Sequence, residues 1–554
     1  MPSVDTASAI LESLDALGVT HVLYCPGSRS APFAYALEAG SFGGDARAVL
    51  DERGAGFAAV GLARTGALPA IVVTSGTAVA ELAPAVLEAS HARLPLLLLT
   101  ADRPGELRGV GASQATDQSG FFGTHVRASV DLEPQEASPS LGGHLVRAVA
   151  AACGAPSGTP GPVQINVAFR DPLTPVRPAC DCGDEAGASF VPRPTWVLRA
   201  PAAPERWEDV VGPAAAGLIV AGEGASPLAL EWSRASGFPL LAEPASGAWK
   251  DGGVTPFEQS LVASELGREV DAVVVTGRPT LSRPIQALLA RPEVQVTVVD
   301  PHSPWTDISG NASVVVADLE PIRWPIRAVP RAEWAARVRD AAREAGERIA
   351  SLLASGSGRT MFDLARAVAA STSGPLVLGA SNPVRAFDLA VPTLEGRAVH
   401  SNRGQAGIDG TIATAVGIAL GSGCADEASA PARERVTAVM GDLTACHDAS
   451  SLALAAAARA HLDIVVADDG GGGIFATLEH GRAASPEAYD RWFGLAQPVD
   501  YEALAAAYGV AFARADEPQE LESLLAQPAS GPRLIHAPVE RAPHLYPAVR
   551  DVLS

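Results

Sequence analysis

The sequence predicts an α/β protein built as three doubly wound parallel-sheet domains. Three observations predict it. Eleven short runs rich in β-branched residues or leucine recur along the 554 residues, alanine-rich stretches of helical character separate them, and the runs fall into three groups divided by Pro- and Gly-containing breaks. Apolar strands alternating with helices are the pattern of parallel sheets covered on both faces, and a chain of this length holds roughly two to four domains.

Residues 1–19 carry Asp5, Glu12 and Asp15 among apolar positions and read as an amphipathic helix, not a signal peptide. The first group of strands follows at 21–25, 70–74, 94–100 and 163–167. A Pro-, Gly- and Cys-containing stretch, 171–194, reads as a linker. The second group lies at 217–221, 271–277 and 294–300, and a break at 321–330 precedes a charged helix over 331–355. The last group lies at 375–379, 436–442, 462–468 and 533–539. The expected domains are therefore 1–180, 190–330 and 356–554, each of ordinary size.

Composition removes several functions. Lys+Arg is 41 against Asp+Glu 62, a net charge of −21, and Lys250 is the single lysine. Without a Gly-Lys-Ser/Thr sequence there is no Walker A phosphate loop, and Lys250, in Ala-Trp-Lys-Asp-Gly, has no feature of a Schiff-base lysine. The negative charge disfavours nucleic acid and anionic membranes. Cys25, Cys153, Cys180, Cys182, Cys424 and Cys446 are too scattered for a disulfide framework or a zinc finger and read as buried, reduced thiols. No apolar run approaches the ~20 residues of a membrane helix, so the expected location is the cytoplasm. A dinucleotide fingerprint is missing after the first strand, where Cys25-Pro26-Gly27-Ser28-Arg29 stands instead.

The last third carries the chemistry. Gly441-Asp442-Leu443-Thr444 ends one strand, and Asp468-Asp469 with glycines 470–473, Ile474 and Phe475 ends the next. Asp442 and Asp469 are 27 residues apart, room for one loop, one crossover helix and one returning strand. Two carboxylates thus reach neighbouring strand ends, where open parallel sheets bind ligands. Hard oxygen ligands of this kind suit Mg²⁺ together with a substrate phosphate, and the glycines allow close approach of the backbone. In the first domain Glu52 stands where a strand gives way to an alanine- and glycine-rich helix; its type suits either proton exchange from a buried carboxyl or a helix N-terminus. Arg29, Arg103, Arg283, Arg385 and Arg403 each lie in or beside a Ser-, Gly- or Pro-rich loop after a strand. Five guanidiniums at strand ends make a converging anion site, because arginine binds a carboxylate through two parallel hydrogen bonds.

Gly-Asp followed by a paired Asn/Asp motif resembles the signature of thiamine diphosphate (ThDP) enzymes. Tyr24-Cys25-Pro26-Gly27-Ser28-Arg29-Ser30, Ala101-Asp102-Arg103-Pro104, Gly111-Ala112-Ser113-Gln114, Ser381-Asn382-Pro383-Val384-Arg385 and residues 401–410, which begin Ser-Asn-Arg-Gly-Gln, closely resemble the MenD family, the SEPHCHC synthases of menaquinone biosynthesis. The resemblance covers most of the first and last domains and thins in the middle one to residues 277–284. It implies pyrimidine-binding, middle and diphosphate-binding domains of the ThDP-enzyme type. It also implies a ThDP-dependent transferase that decarboxylates 2-oxoglutarate and adds the four-carbon carbanion to isochorismate by conjugate addition. By resemblance Asp442, Asp469 and the carbonyl of Gly471 bind Mg²⁺, with Mn²⁺ the alternative metal, and Glu52 serves the cofactor's aminopyrimidine ring. Ile408, Gly441, Leu443, Thr444, Ile474 and Phe475 complete the cofactor site, the apolar ones excluding water. Ser28, Arg29, Arg103, Gln114, Arg283, Ser381, Arg385 and Arg403 form the substrate site. The family pattern departs here at Leu443 (Gly in many members), Asp468-Asp469 (mostly Asn-Asn), Ser113 (commonly Asn) and Arg283 (lysine in some). The family's domains meet across subunits, which implies a homodimer or a homotetramer made of two dimers. An acetolactate-synthase-like decarboxylase or carboligase is the alternative; it would share fold, metal and glutamate without needing so many loop arginines.

Overall fold

In a computed structural model the described residues are 3–134, 139–156, 158–175, 203–320, 329–423 and 435–554. They form three wholly parallel sheets. The first holds β1 (His21–Tyr24), β2 (Asp45–Ala48), β3 (Pro69–Val73), β4 (Leu96–Asp102), β5 (Ala128–Leu132) and β6 (Pro162–Ala168), in the order β2-β1-β3-β4-β6-β5. The second holds β7 (Gly217–Ala221), β8 (Leu240–Ala242), β9 (Ala272–Thr276), β10 (Gln295–Val299) and β11 (Ala312–Val316), ordered β11-β10-β9-β7-β8. The third holds β12 (Leu376–Leu378), β13 (Val399–His400), β14 (Val436–Gly441), β15 (Leu462–Asp468), β16 (Ala511–Arg514) and β17 (Arg533–Pro538), ordered β13-β12-β14-β15-β17-β16. The three-sheet α/β architecture expected from the sequence is the one observed.

The chain divides into two compact units. The first comprises Met1–Ala200 with Ile412–Ala425 and Ser450–Ala458; the second comprises Pro201–Thr411, Asp426–Ala449 and Arg459–Ser554. In the first unit the helix Glu52–Arg64 crosses the helix Thr411–Gly421 with backbones in contact. A Cβ on Gly61 would lie 2.1 Å from the Thr414 carbonyl, and one on Gly417 would lie 2.0 Å from that of Ala58. Any side chain there would force the helices apart. The second unit contains both the second and third sheets, and one hydrophobic cluster runs from Trp207 and Trp232 to Ile535 and Val549.

The expected helix at 331–355 is Val329–Ala354, and the expected N-terminal helix is Ser3–Ala16. Most of the linker 171–194, most of the break 321–330, and Cys180, Cys182 and Cys424 lie outside the described residues. Of the remaining thiols, all free, Cys25 is buried, Cys446 is half-buried and Cys153 is exposed, so burial does not hold for every cysteine. No described helix is long and apolar enough to cross a membrane.

Candidate active site

In the first sheet the strand order reverses direction between β1 and β3, and in the third between β12 and β14. Such points open a crevice beyond the carboxyl ends of the strands, and the expected site residues other than Arg283, which follows β9 of the second sheet, end or follow strands of these two sheets.

In the first unit Asp51 caps the helix that Glu52 opens. Asp51 Oδ1 accepts the Gly54 N–H at 3.2 Å and Oδ2 accepts the Ser450 hydroxyl at 2.7 Å. Asp51 supplies the cap, and the Glu52 carboxyl meets its own backbone N–H. Its proton affinity is raised, first by burial and then by the negative charges of Asp51 and Glu81. After β4, Arg103 donates to the hydroxyl of Ser75, and Gln114, held at φ 57°, donates to the Ser75 carbonyl at 2.9 Å. Arg29 donates to the Phe169 carbonyl at 2.9 Å. Burial, and next the positive charge of Arg29, weaken the proton affinity of Arg103. Two cations, Gln114 and the exposed Ser28 are thus displayed on neighbouring loops.

Ser75 was not singled out in the sequence. It is fully buried just past β3 and bonds both Arg103 and Gln114. Beneath it runs a buried polar network: Gln118 donates to the Ala101 carbonyl and to Asn166, while Asn166 donates to Asp102 and Asp131. Polar residues within otherwise apolar β4 and β6 were the available signal, since such groups need partners.

In the second unit β14 and β15 are neighbours, with Gly441 paired to Ala467, so Asp442 and Asp469 follow adjacent strand ends. Asp442 opens the short helix Asp442–His447 and is buried, as is Thr444; Leu443 is half-buried. Burial first, then the charges of Asp468 and Asp469, push its carboxyl up to about 7. Asp469 is likewise raised to about 6, chiefly by burial. Asp468, the first residue of the Asp468-Asp469 departure, bonds to Asp442 as well as to two other groups. Its Oδ2 meets His536 Nε2 at 2.9 Å and its Oδ1 accepts the Gly470 N–H, and the histidine bond draws its carboxyl below the usual range.

The glycine loop is demanded by close contacts. Gly471 has φ 124°, and a Cβ there would lie 2.1 Å from the Gly494 carbonyl; one on Gly473 would lie 1.9 Å from Asp469 Oδ2. Arg541 donates to the carbonyls of Asp469 and Gly470, and the Tyr489 hydroxyl donates to that of Gly472. Arg541, Tyr489 and His536 were missed by sequence reading; Arg541 and His536 come from the chain at and just after β17, and only its pairing with β15 brings them here. Converging buried carboxylates with raised proton affinity form a donor set suited to a divalent cation. No group of three His, Cys, Asp or Glu side chains forms a metal cluster among the described residues; two carboxylates and a carbonyl, with diphosphate oxygens in the remaining positions, suffice for Mg²⁺.

The arginines of this unit converge. Arg385 folds back from the helix Asn382–Ala390 to the carbonyls of Ser381, at 2.7 Å, and Ala380. Arg403 reaches the same Ala380 carbonyl at 3.1 Å and the carbonyl of Thr280 at 3.0 Å. Burial, then the charges of Arg403 and Arg283, lower Arg385 to about 10, with Tyr546 and Asp388 opposing. Arg283 is exposed at the start of the helix Arg283–Leu289. Ile474 is half-buried, but Ile408 is 39% and Phe475 36% exposed, so the single chain leaves part of the expected water-excluding surface uncovered.

Similarity to known proteins gives the class, a thiamine diphosphate enzyme. Residues 4–121 match the family described as "Thiamine pyrophosphate enzyme, N-terminal TPP binding domain", and residues 386–537 match its C-terminal TPP binding domain. The chain is 42% identical to a 2-succinyl-5-enolpyruvyl-6-hydroxy-3-cyclohexene-1-carboxylate (SEPHCHC) synthase of Kineococcus radiotolerans, over 95% of this chain and 94% of that protein. It is 39% identical to one from a Nocardioides species, over 97% and 95%, and 36% identical to one from Mycobacterium tuberculosis, over the whole of both. The chain belongs to the SEPHCHC synthase family of ThDP enzymes, the family its motifs resembled.

Proposed function

We propose that this protein condenses 2-oxoglutarate with isochorismate, releasing CO₂, as a SEPHCHC synthase of menaquinone biosynthesis. The observation that carries the substrate class is the pair Arg385 and Arg403, which share one carbonyl and form no direct ion pair with any described carboxylate. Their charge is left for an anion, and both proposed substrates are dicarboxylates. The proposed domains are 1–180, 190–330 and 356–554, the active form is a homodimer or a dimer of dimers, and the location is the cytoplasm.

The residues fit the cofactor. ThDP, when bound, supplies the electron sink that lets a 2-oxo acid lose CO₂. Asp442, Asp469 and the Gly471 carbonyl would hold its diphosphate through Mg²⁺ or Mn²⁺. Burial favours the protonated form of the Glu52 carboxyl, which would hydrogen-bond the pyrimidine ring. Gly441, Leu443 and Thr444 would flank the diphosphate, and Ile408, Ile474 and Phe475 would exclude water. Ser28, Arg29, Arg103, Gln114, Arg283, Ser381, Arg385 and Arg403 orient the two substrates, the arginines offsetting their negative charge as the new bond forms.

The deciding assay mixes protein, ThDP, Mg²⁺, 2-oxoglutarate and isochorismate and follows isochorismate through its ultraviolet absorbance. Loss of absorbance that requires every component is expected. Absence of loss from protein shown to bind ThDP would overturn the substrates, and 2-oxoglutarate decarboxylation with no isochorismate consumption would favour the acetolactate-synthase-like reading.

A further inference from the structure

Behind Arg385 and Arg403 lie three carboxylates that neither the motifs nor the family resemblance singled out. Glu243 follows β8, Glu258 opens the helix Glu258–Ala263, and Asp388 is on the arginine-bearing helix one turn beyond Arg385; their exposures are 4%, 2% and 7%. Glu243 Oε1 accepts the Leu281 N–H at 2.6 Å, and the adjacent Thr280 gives its carbonyl to Arg403. The loop that positions one arginine is therefore pinned by this acid. Asp388 accepts from the Gln259 amide. Neither oxygen of Glu258 has a hydrogen-bond partner.

Buried carboxylates this close to buried arginines ordinarily form ion pairs, because an isolated buried charge is costly. Here none of the three pairs directly with either guanidinium. We propose that Glu243, Asp388 and Glu258 are positioning residues that hold protons behind the substrate arginines, leaving the arginine charge free for the isochorismate carboxylates and linking that substrate's binding to proton uptake. This inference rests on the substrate assignment made above.

The surroundings agree. Burial first, with the charge of Asp388 next among the raising effects, pushes Glu243 up to about 8, against the N–H groups of Leu281 and Thr280 and the charge of Arg403. Burial raises Asp388 to about 7 although Gln259, Arg385 and Arg403 favour its charged form. Glu258 is pushed well above the carboxylate range by burial, Asp388 and Glu243. Arg283 and Tyr546 face Arg385 from the other side. The sign follows. A bound dianion disfavours ionisation of the cluster, so the complex keeps protons that the free enzyme loses as pH rises through 7 and 8. Isochorismate affinity falls over that window, by at most about tenfold per pH unit for each proton taken up.

The test measures KM for isochorismate and for 2-oxoglutarate from pH 6 to 9 in wild type, Glu243→Gln and Asp388→Asn. Both substitutions keep an oxygen that can accept the present hydrogen bond and remove the ionisation. The wild-type KM for isochorismate should rise severalfold between pH 6.5 and 8.5, and the rise should shrink in each variant. The slopes are compared with each protein referred to its own KM at pH 6.5. Calorimetry of isochorismate binding in two buffers of different ionisation enthalpy gives a second readout, with proton uptake near pH 7.5 that falls in the variants. A flat wild-type KM in an active enzyme, or the same slope in both variants, overturns the inference while leaving the substrates intact. An enzyme that binds ThDP yet never consumes isochorismate overturns both. If either variant fails to fold, absence of proton uptake by the wild-type protein is enough to overturn the inference.

Discussion

Two triplets of acids in the second unit differ in what surrounds them, although their deepest members are equally buried. Asp442 is 3% exposed and Glu258 2%. Around the first triplet stand His536 on Asp468, Arg541 on the backbone of Asp469 and the N–H groups of a glycine loop. Around the second stand the backbone N–H groups of Leu281 and Thr280 and one glutamine amide. Raised proton affinity therefore carries two meanings. Acids at adjacent strand ends beside a glycine loop are the proposed metal ligands, whereas acids sealed behind arginines are the proposed proton holders. Burial does not separate them; the neighbouring donors do.

Glu52 supplies the reference for both, a carboxyl whose proton the proposed chemistry uses. Glu52→Gln should lower kcat by about 10²–10⁴ and leave ThDP affinity within a fewfold, measured by steady-state kinetics and calorimetry. Near-normal turnover would remove its role. Next in size, Asp442→Ala should weaken Mg²⁺-dependent ThDP binding by about 100-fold or more, because even partners of metal ligands contribute about 10–100-fold. Unchanged cofactor affinity by calorimetry would break the comparison at its first term, since Asp442 would then be another proton-holding acid.

The same contrast shows why one triplet was legible in the sequence. Asp442, Asp469 and the glycines form a motif because each strand–loop unit places its own ligands. Glu243, Glu258 and Asp388 come from three separate segments, and His536 and Arg541 reach the site only through β15–β17 pairing. The strands divide in a similar way. The eleven runs read from the sequence correspond to the interior strands of the three sheets. The six not read, β2, β5, β8, β11, β13 and β16, are the six edges. Interior strands are apolar throughout because both faces are covered. β2, β5 and β11 alternate half-buried with exposed residues along most of their length, and β8 and β13 have three and two residues, too few for a pattern.

Arg403→Ala tests what the second triplet stands behind. Loss of a charge-assisted clamp should raise KM for isochorismate by about 10–100-fold. Arg403→Lys keeps the charge without the planar fork and should recover only part of it. If both variants kept a wild-type KM, the acids behind Arg403 would have no ligand charge to respond to, and the two triplets would differ only in their packing.

The smallest effect separates the triplets by stability. Glu258 has a folded-state proton affinity above its unfolded value, so the folded protein keeps a proton that the unfolded chain loses as pH rises past the ordinary carboxylate range. Its contribution to stability therefore declines with rising pH from that point until the folded group itself ionises. Glu258→Gln removes the titration while preserving shape, so the variant should gain on wild type as pH increases from 4.5 to 8. The expected gain in melting temperature is about 1–2 °C, read by calorimetry at several pH values. A difference between the two proteins that stays constant across this range would mean that Glu258 is ionised when folded. It would then be an acid awaiting a cation, as Asp442 is in the proposed metal site, and the distinction between the two triplets would fail.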